Sequence, residues 1–405
     1  MRLPTRRLRT REPRPFPAPL TALRDRNGEV SPQAAGLSQK TPDAIWQAMK
    51  RFYATGMSPG VALALRRNGE LFFNRTLGHA RLHDDRPLDT ETPICLFSAS
   101  KPVTAMLIHH LAEEGMLELD KPVCHYLPEY GCRGKERTTV MQLLTHRGGI
   151  PRIRERVTAE DLFRPHRLRE LMIRARPEQP GRRQAYHALT AGFVLGAVVE
   201  RVTGEDLNRV LDRVIREPMG MKHFRYGLAE GEAAENYSVG PPLSLVDLFL
   251  THAVGGTLDE AVEASNDPRF REVIIPAGNL YATAEEVTRF YQMLLDGGVW
   301  NGRRIFREET VRRATAPTRY GARLDRTLLV PMQYSPGFIL GQRLLSLYGP
   351  GTPRAFGHLG FISIFCWGDP DRALAGALLT TGKGIVGPHY PALLQLQRTI
   401  NRLTA

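Results

Sequence analysis

Ser98 and Lys101 stand three positions apart in Ser98-Ala99-Ser100-Lys101, and on a helix that spacing puts both side chains on one face. A serine hydroxyl is a poor nucleophile until a base takes its proton, and a lysine can do so only where burial or a neighbouring cation lowers its pKa. A serine at a helix N-terminus also has backbone N–H groups and the positive end of the helix dipole beside it, both suited to a developing oxyanion. The chemistry open to the pair is acyl transfer through a covalent acyl-enzyme, with Ser98 attacking and Lys101 receiving the proton. Ser-x-x-Lys alone also describes any capped helix with a surface lysine, but none of the other six lysines has a serine three positions before it.

A second serine competes for the role. Ser58 lies in Gly56-Met57-Ser58-Pro59-Gly60, matching a Gly-x-Ser-x-Gly nucleophile elbow. That elbow needs a strand before it and a helix after it, and here the order is reversed. It also takes an oxyanion donor from the residue after the serine, and Pro59 has no N–H. Cys95, Cys124, Cys132 and Cys366 form no Cys-x-x-Cys pair, and with His125 they fall short of a zinc set. They read as reduced thiols of a cytoplasmic protein that uses no metal or cofactor.

The elements that must hold the pair are legible around it. Helical spacing runs from Pro42 to Tyr53, and VALALRR, Asn68-Gly69 and ELFFNRT read as a β-hairpin. From Ser98 to Glu114 the pattern is again helical, with Gly115 as a stop. The middle of the chain, to about Gly298, is mostly helix and loop. Strand signals return in SPGFILGQRLLS, FISIFCWG and ALAGALLT, and PHYPALLQLQRTINRL closes the chain as a helix. The expected fold class is α+β: an antiparallel sheet flanked by N- and C-terminal helices, with an inserted mainly helical domain. Residues 41–100 and 300–405 would form the α/β part and 101–299 the helical part, behind a disordered basic tail over 1–40.

Bulk properties narrow the function classes. The 405 residues carry a formal net charge of +13, nearly all of it arginine. Arginine is spread along the chain, with a concentration in the first 14 residues, and no helix-turn-helix, zinc-finger or ribonucleoprotein signature accompanies it. Nucleic acid is therefore not the expected partner; a small-molecule acyl donor is. No run of about 18 apolar residues could span a bilayer, and the N-terminus lacks the apolar core of a secretory signal. Oligomeric state is not readable.

The stretch LFSASKPVTAMLIHHLAEEGMLELDKPVCHYLPEYG, with TTVMQLLTHRGGIP, PGRRQAYHALTAGFVLGAVVERVTG, PAGNLYATAEEVTRFYQMLLDGG and FGHLGF, resembles the serine β-lactamase and penicillin-binding superfamily over roughly residues 42–400. It is most similar to class C β-lactamases and the family VIII carboxylesterases that share their fold. The resemblance implies that Tyr186, in Tyr186-His187-Ala188, shuttles a proton between Ser98, Lys101 and the leaving group. It implies that His358, in His358-Leu359-Gly360, stands where penicillin-recognising enzymes carry Lys-Thr-Gly and hydrogen-bonds toward Tyr186. The N–H of Phe361, after Gly360, would join that of Ser98 as an oxyanion hole. Ala188 replaces an asparagine that holds the β-lactam amide, and His358 replaces the lysine that attracts its carboxylate. Both departures favour esters over β-lactams, with amide hydrolysis, acyl transfer or a non-catalytic binding role as alternatives.

Overall fold

Asn68 and Gly69 both adopt left-handed backbone, at φ 53° and 86°, as a two-residue hairpin turn requires. They join β1 (Gly60–Arg67) to β2 (Glu70–Arg81) in antiparallel register. In this computed structural model, which describes residues 28–405 apart from 154, 156, 229–231, 241–255, 320 and 362, the hairpin anchors a seven-stranded sheet. Its other strands are β3 (Arg86–Pro87), β4 (Ile339–Leu340), β5 (Phe356–Gly360), β6 (Ile364–Asp369) and β7 (Leu374–Thr380), in the order β4-β5-β6-β7-β1-β2-β3. The pairing of β1 with β7 sews the two ends of the chain together.

Alternation along the central strands assigns each face a different core. Val61, Leu63 and Leu65 of β1, Phe365 and Trp367 of β6, and Leu374 and Leu378 of β7 point to one side. There they pack on α1 (Thr41–Tyr53) and α5 (His389–Leu403) through Ile45, Met49, Leu396 and Ile400. The opposite face presents Ala62, Ala64, Ala375 and Ala377. These small side chains let a helix lie close, and α4 (Ala284–Leu295) occupies that face. Behind it the second core continues into α2 (Lys101–Glu113) and α3 (Thr190–Thr203). Residues 101–109 of α2 are all buried, as expected of a helix surrounded by packing rather than lying on a surface.

The fold is the expected α+β arrangement, with three local differences. α4 was expected in the helical part and instead covers the sheet, because its apolar stripe has the alanine face to fill. Residues 28–40 were expected in the disordered tail, but Ala35 and Leu37 are buried in the first core. Glu29 there accepts hydrogen bonds from Arg75 and from the Asn74 backbone. Residues 1–27, the remainder of that tail, lie outside the described residues. SPGFILGQRLLS contributes only Ile339–Leu340 to the sheet, since Gly337 turns the chain before it and Gly341 lies against the Thr352 carbonyl after it.

The packed 28–40 segment is testable. Ala35→Asp buries a carboxylate in the first core and is expected to cost about 3 kcal/mol. An unchanged thermal midpoint would show that the segment does not contribute to the fold.

Candidate active site

Ser98 sits in a 3-10 turn, Phe97–Ser100, that runs directly into α2. Its N–H lies in the first turn, where backbone donors have no carbonyl partner within the helix. The turn is entered through Phe97 at φ 47°, a conformation that costs a non-glycine residue energy and persists only when packing enforces it. Two serines in this turn have different fates. Ser100 is buried, its hydroxyl donating to the Phe97 carbonyl and accepting from Leu280 N–H. Ser98 is half-buried, with its oxygen 3.0 Å from Lys101 Nζ.

Lys101 has only 9% of its surface exposed. Its Nζ donates to the Ala277 carbonyl at 3.2 Å and lies 4.9 Å from the centre of the Tyr186 ring. No carboxylate bonds it among the described residues, so burial dominates and drives its pKa well below the usual lysine value. A neutral amine held by one N–H on a carbonyl can turn its lone pair to the serine. Ala277 reaches this position because Gly192 of α3 has no Cβ: one built there would stand 2.5 Å from Ala277 Cβ.

Tyr186 is buried, and burial raises its phenol above the usual tyrosine range while a hydrogen bond with Ser98 opposes the shift. Burial thus favours the proton on Tyr186 and disfavours it on Lys101. The backbone of Tyr186 is pinned by a residue with no sequence signal, Asp325, which is fully buried. Its Oδ1 accepts from Tyr186 N–H at 3.0 Å and from Thr327 and Leu328, while its Oδ2 accepts from the Tyr334 hydroxyl. His146, at φ 55°, packs its ring 4.8 Å from both Tyr186 and Tyr334 and accepts from His187 N–H. His187 bridges the Ala185 carbonyl and Ile150 N–H through its two ring nitrogens, so it is a neutral Nδ1–H imidazole. These histidines support the tyrosine without reaching Ser98.

His358 is on β5 with its ring 6.0 Å from that of Tyr186. The expected hydrogen bond to Tyr186 is not made: Nδ1 meets its neighbour's carbonyl, Leu359 O, and Nε2 is buried without a partner. Burial, with Lys101 nearby, pushes its pKa down to about 3. Gly360 ends the strand with its Cα so close to the Ser98 turn that a Cβ would stand 2.1 Å from the Leu96 carbonyl. Phe361 follows, one residue past the last sheet pair, at φ 42° and with its ring 5.1 Å from Phe97. Two phenylalanines in left-handed backbone therefore face each other across the site, one before Ser98 and one carrying the other candidate N–H.

With this geometry the sequence matches the family model Beta-lactamase over residues 46–396. The chain belongs to the β-lactamase family. Among relatives, it is 28% identical to Esterase/beta-lactamase LipL of Mycobacterium tuberculosis over 79% of this chain and 76% of that protein. It is also 28% identical to Esterase EstB of Burkholderia gladioli over 89% and 95%. A solved family VIII carboxylesterase superposes with TM-score 0.77 at 26% identity, covering 90% of this chain and 98% of that one. In this β-lactamase-family chain Ser58, the rival serine, is buried: its hydroxyl donates to Gly60 O and accepts from Gly382 N–H. It clips β1 to the chain leaving β7. Ala188 is buried in the apolar cluster around Tyr186 and offers no polar group.

Two outcomes follow from these contacts. Ser58→Ala leaves the buried Gly382 N–H unpaired, while Gly60 O keeps the Thr381 N–H; it is expected to lower stability by about 1–3 kcal/mol while fluorophosphonate labelling still falls on Ser98, and loss of labelling would contradict the clip. Stability should also respond to acid. Burial lowers His109 and His187 from 6.5 to about 4. Above pH 6.5 both are neutral folded or unfolded and contribute nothing; below it the unfolded chain takes up protons that the folded chain refuses. The thermal midpoint is expected to fall between pH 6.5 and 4, less steeply in His109→Leu, and a flat profile would contradict buried neutral imidazoles.

Proposed function

We propose that this protein is a serine carboxylesterase that cleaves small or medium acyl esters through an acyl-enzyme on Ser98. The observation that carries the reading is the dehydrated Lys101 amine 3.0 Å from the Ser98 hydroxyl, with no acid among the described residues to hold it charged. Ser98 Oγ bonds to the ester carbonyl carbon as its proton passes to Lys101 Nζ. The carbonyl oxygen becomes an oxyanion that the N–H groups of Ser98 and Phe361 receive. On collapse the C–O bond to the alcohol breaks, and the alkoxide takes the Tyr186 phenol proton, which the Lys101 ammonium replaces. Water then adds to the acyl carbon, giving its proton back through the same pair, and the acid leaves as Ser98 recovers its hydrogen.

Esters suit this site better than β-lactams. Ala188 and His358 supply neither an amide hydrogen bond nor a fixed cation, since burial keeps His358 neutral, whereas an ester needs mainly the oxyanion donors and an apolar place for its chain. Esterase EstB among the relatives points the same way. Gly360 positions the Phe361 N–H, and His358 helps to exclude charge and water. Four free cysteines accord with a reducing compartment, the cytoplasm.

Turnover of p-nitrophenyl butyrate is expected to fall by at least about 10³-fold in Ser98→Ala, Lys101→Ala and Tyr186→Phe; turnover that survives Ser98→Ala would overturn the reading. The rate should rise with pH through a single ionisation well below the usual lysine value, because Lys101 works only unprotonated and loses activity as the pH drops through its pKa. Nitrocefin and D-alanyl amides should be cleaved far more slowly than the ester.

A further inference from the structure

The two loops that flank Tyr186 on the sheet's β4 edge carry an unusual surface. Leu344 and Leu345 are 89% and 81% exposed, and Leu329, Leu324 and Val330 are 63%, 49% and 46% exposed. Single exposed leucines are ordinary, but a cluster marks an interaction surface. The five belong together: Leu324 pairs with Pro331 in a short hairpin, Asp325 N–H bonds Val330 O, and Gln342 Nε2 on the other loop donates to Pro331 O at 3.0 Å. Charge accompanies them. Between residues 316 and 348 the charged side chains are Arg319, Arg323, Asp325, Arg326 and Arg343. Asp325 is fully buried and committed to Tyr186 and Tyr334, while the four arginines are exposed. The charge that residues 316–348 themselves turn to solvent is therefore wholly positive, and Arg326 shares a cavity with Arg152, Arg183 and Glu178.

The same loops reach the candidate site. Arg326 N–H bonds Gln184 O, and Gln184 Nε2 bonds Arg323 O and Met332 O, two residues before Tyr186. Leu328, Met332 and Leu347 turn inward to the apolar cluster of Tyr186, Tyr334 and Ile339. An apolar track thus runs from the exposed leucines to the tyrosine.

We propose that the 322–345 surface is an interfacial docking face for an anionic lipid bilayer, delivering lipid-borne esters to Ser98. Leucines enter the acyl boundary while the interleaved arginines meet lipid phosphates, the combination that holds interfacial proteins. The delivery rests on the esterase reading above; the docking does not. Leu344, Leu345, Arg323 and Arg343 lie outside the catalytic machinery, so variants there leave the basal reaction intact.

The full chain is mixed with phosphatidylglycerol or phosphatidylcholine vesicles and floated. The wild type is expected to float with the anionic vesicles and much less with the neutral ones. Leu344→Ser/Leu345→Ser should weaken that binding at least about tenfold, and Arg323→Gln/Arg343→Gln should erase the preference for anionic lipid, with p-nitrophenyl butyrate turnover unchanged in both. No flotation of the wild type, or flotation that the leucine pair does not alter, as binding through the basic N-terminal residues would give, overturns the proposal. So does a wild-type dimer without vesicle binding that the leucine variant dissociates, since the face then seats a second copy. A wild type that floats but cleaves no ester would leave the docking standing and remove the esterase reading.

Discussion

A lysine amine held away from water, with a carbonyl on one side and a serine on the other, is the constraint around which the rest of the molecule is arranged. An ammonium in that position would have little solvent and, among the described residues, no carboxylate to compensate its charge, so burial favours the neutral amine. Keeping it there requires that the start of α2 be interior. The helix achieves this by burying every residue from 101 to 109, with α3, β5 and the helix Glu308–Thr315 supplying the surroundings. The hydrophobic effect that stabilises the second core is thus also what sets the protonation state of Lys101.

Close approach of backbones does the remaining positioning. Gly192 admits the Ala277 carbonyl that holds Lys101, and Gly360 admits the strand end against the Ser98 turn. Any Cβ at either point would separate the elements by more than a hydrogen bond can span. The left-handed backbones of Phe97 and Phe361 are the cost of this arrangement, and their mutual packing helps to retain them. Around Tyr186 the logic is one of saturation. Asp325, Tyr334, His146 and His187 satisfy one another and the backbone, leaving the phenol as the group of that cluster that meets Ser98.

The face built on 322–345 differs from both. Its leucines are exposed, and no exposed acid accompanies its arginines within residues 316–348. It shares hydrogen bonds with the segment that carries Tyr186.

Local pattern determined a good deal by itself. The Asn68-Gly69 turn, the alternation of the strands and the three-residue spacing of Ser98 and Lys101 follow from backbone geometry within a few residues, so they were legible without a fold. The resemblance carried Tyr186, His358 and Phe361 to one place. Tertiary structure alone decided which serine of the 3-10 turn is accessible, and that α4 rather than solvent covers the alanine face. It alone placed Asp325 beneath Tyr186 across 139 residues of chain, and left His358 Nε2 without the partner expected of it. These depend on which distant groups share a buried space, and the free energy of a polar atom there is set by all its neighbours at once, which no short stretch of sequence contains.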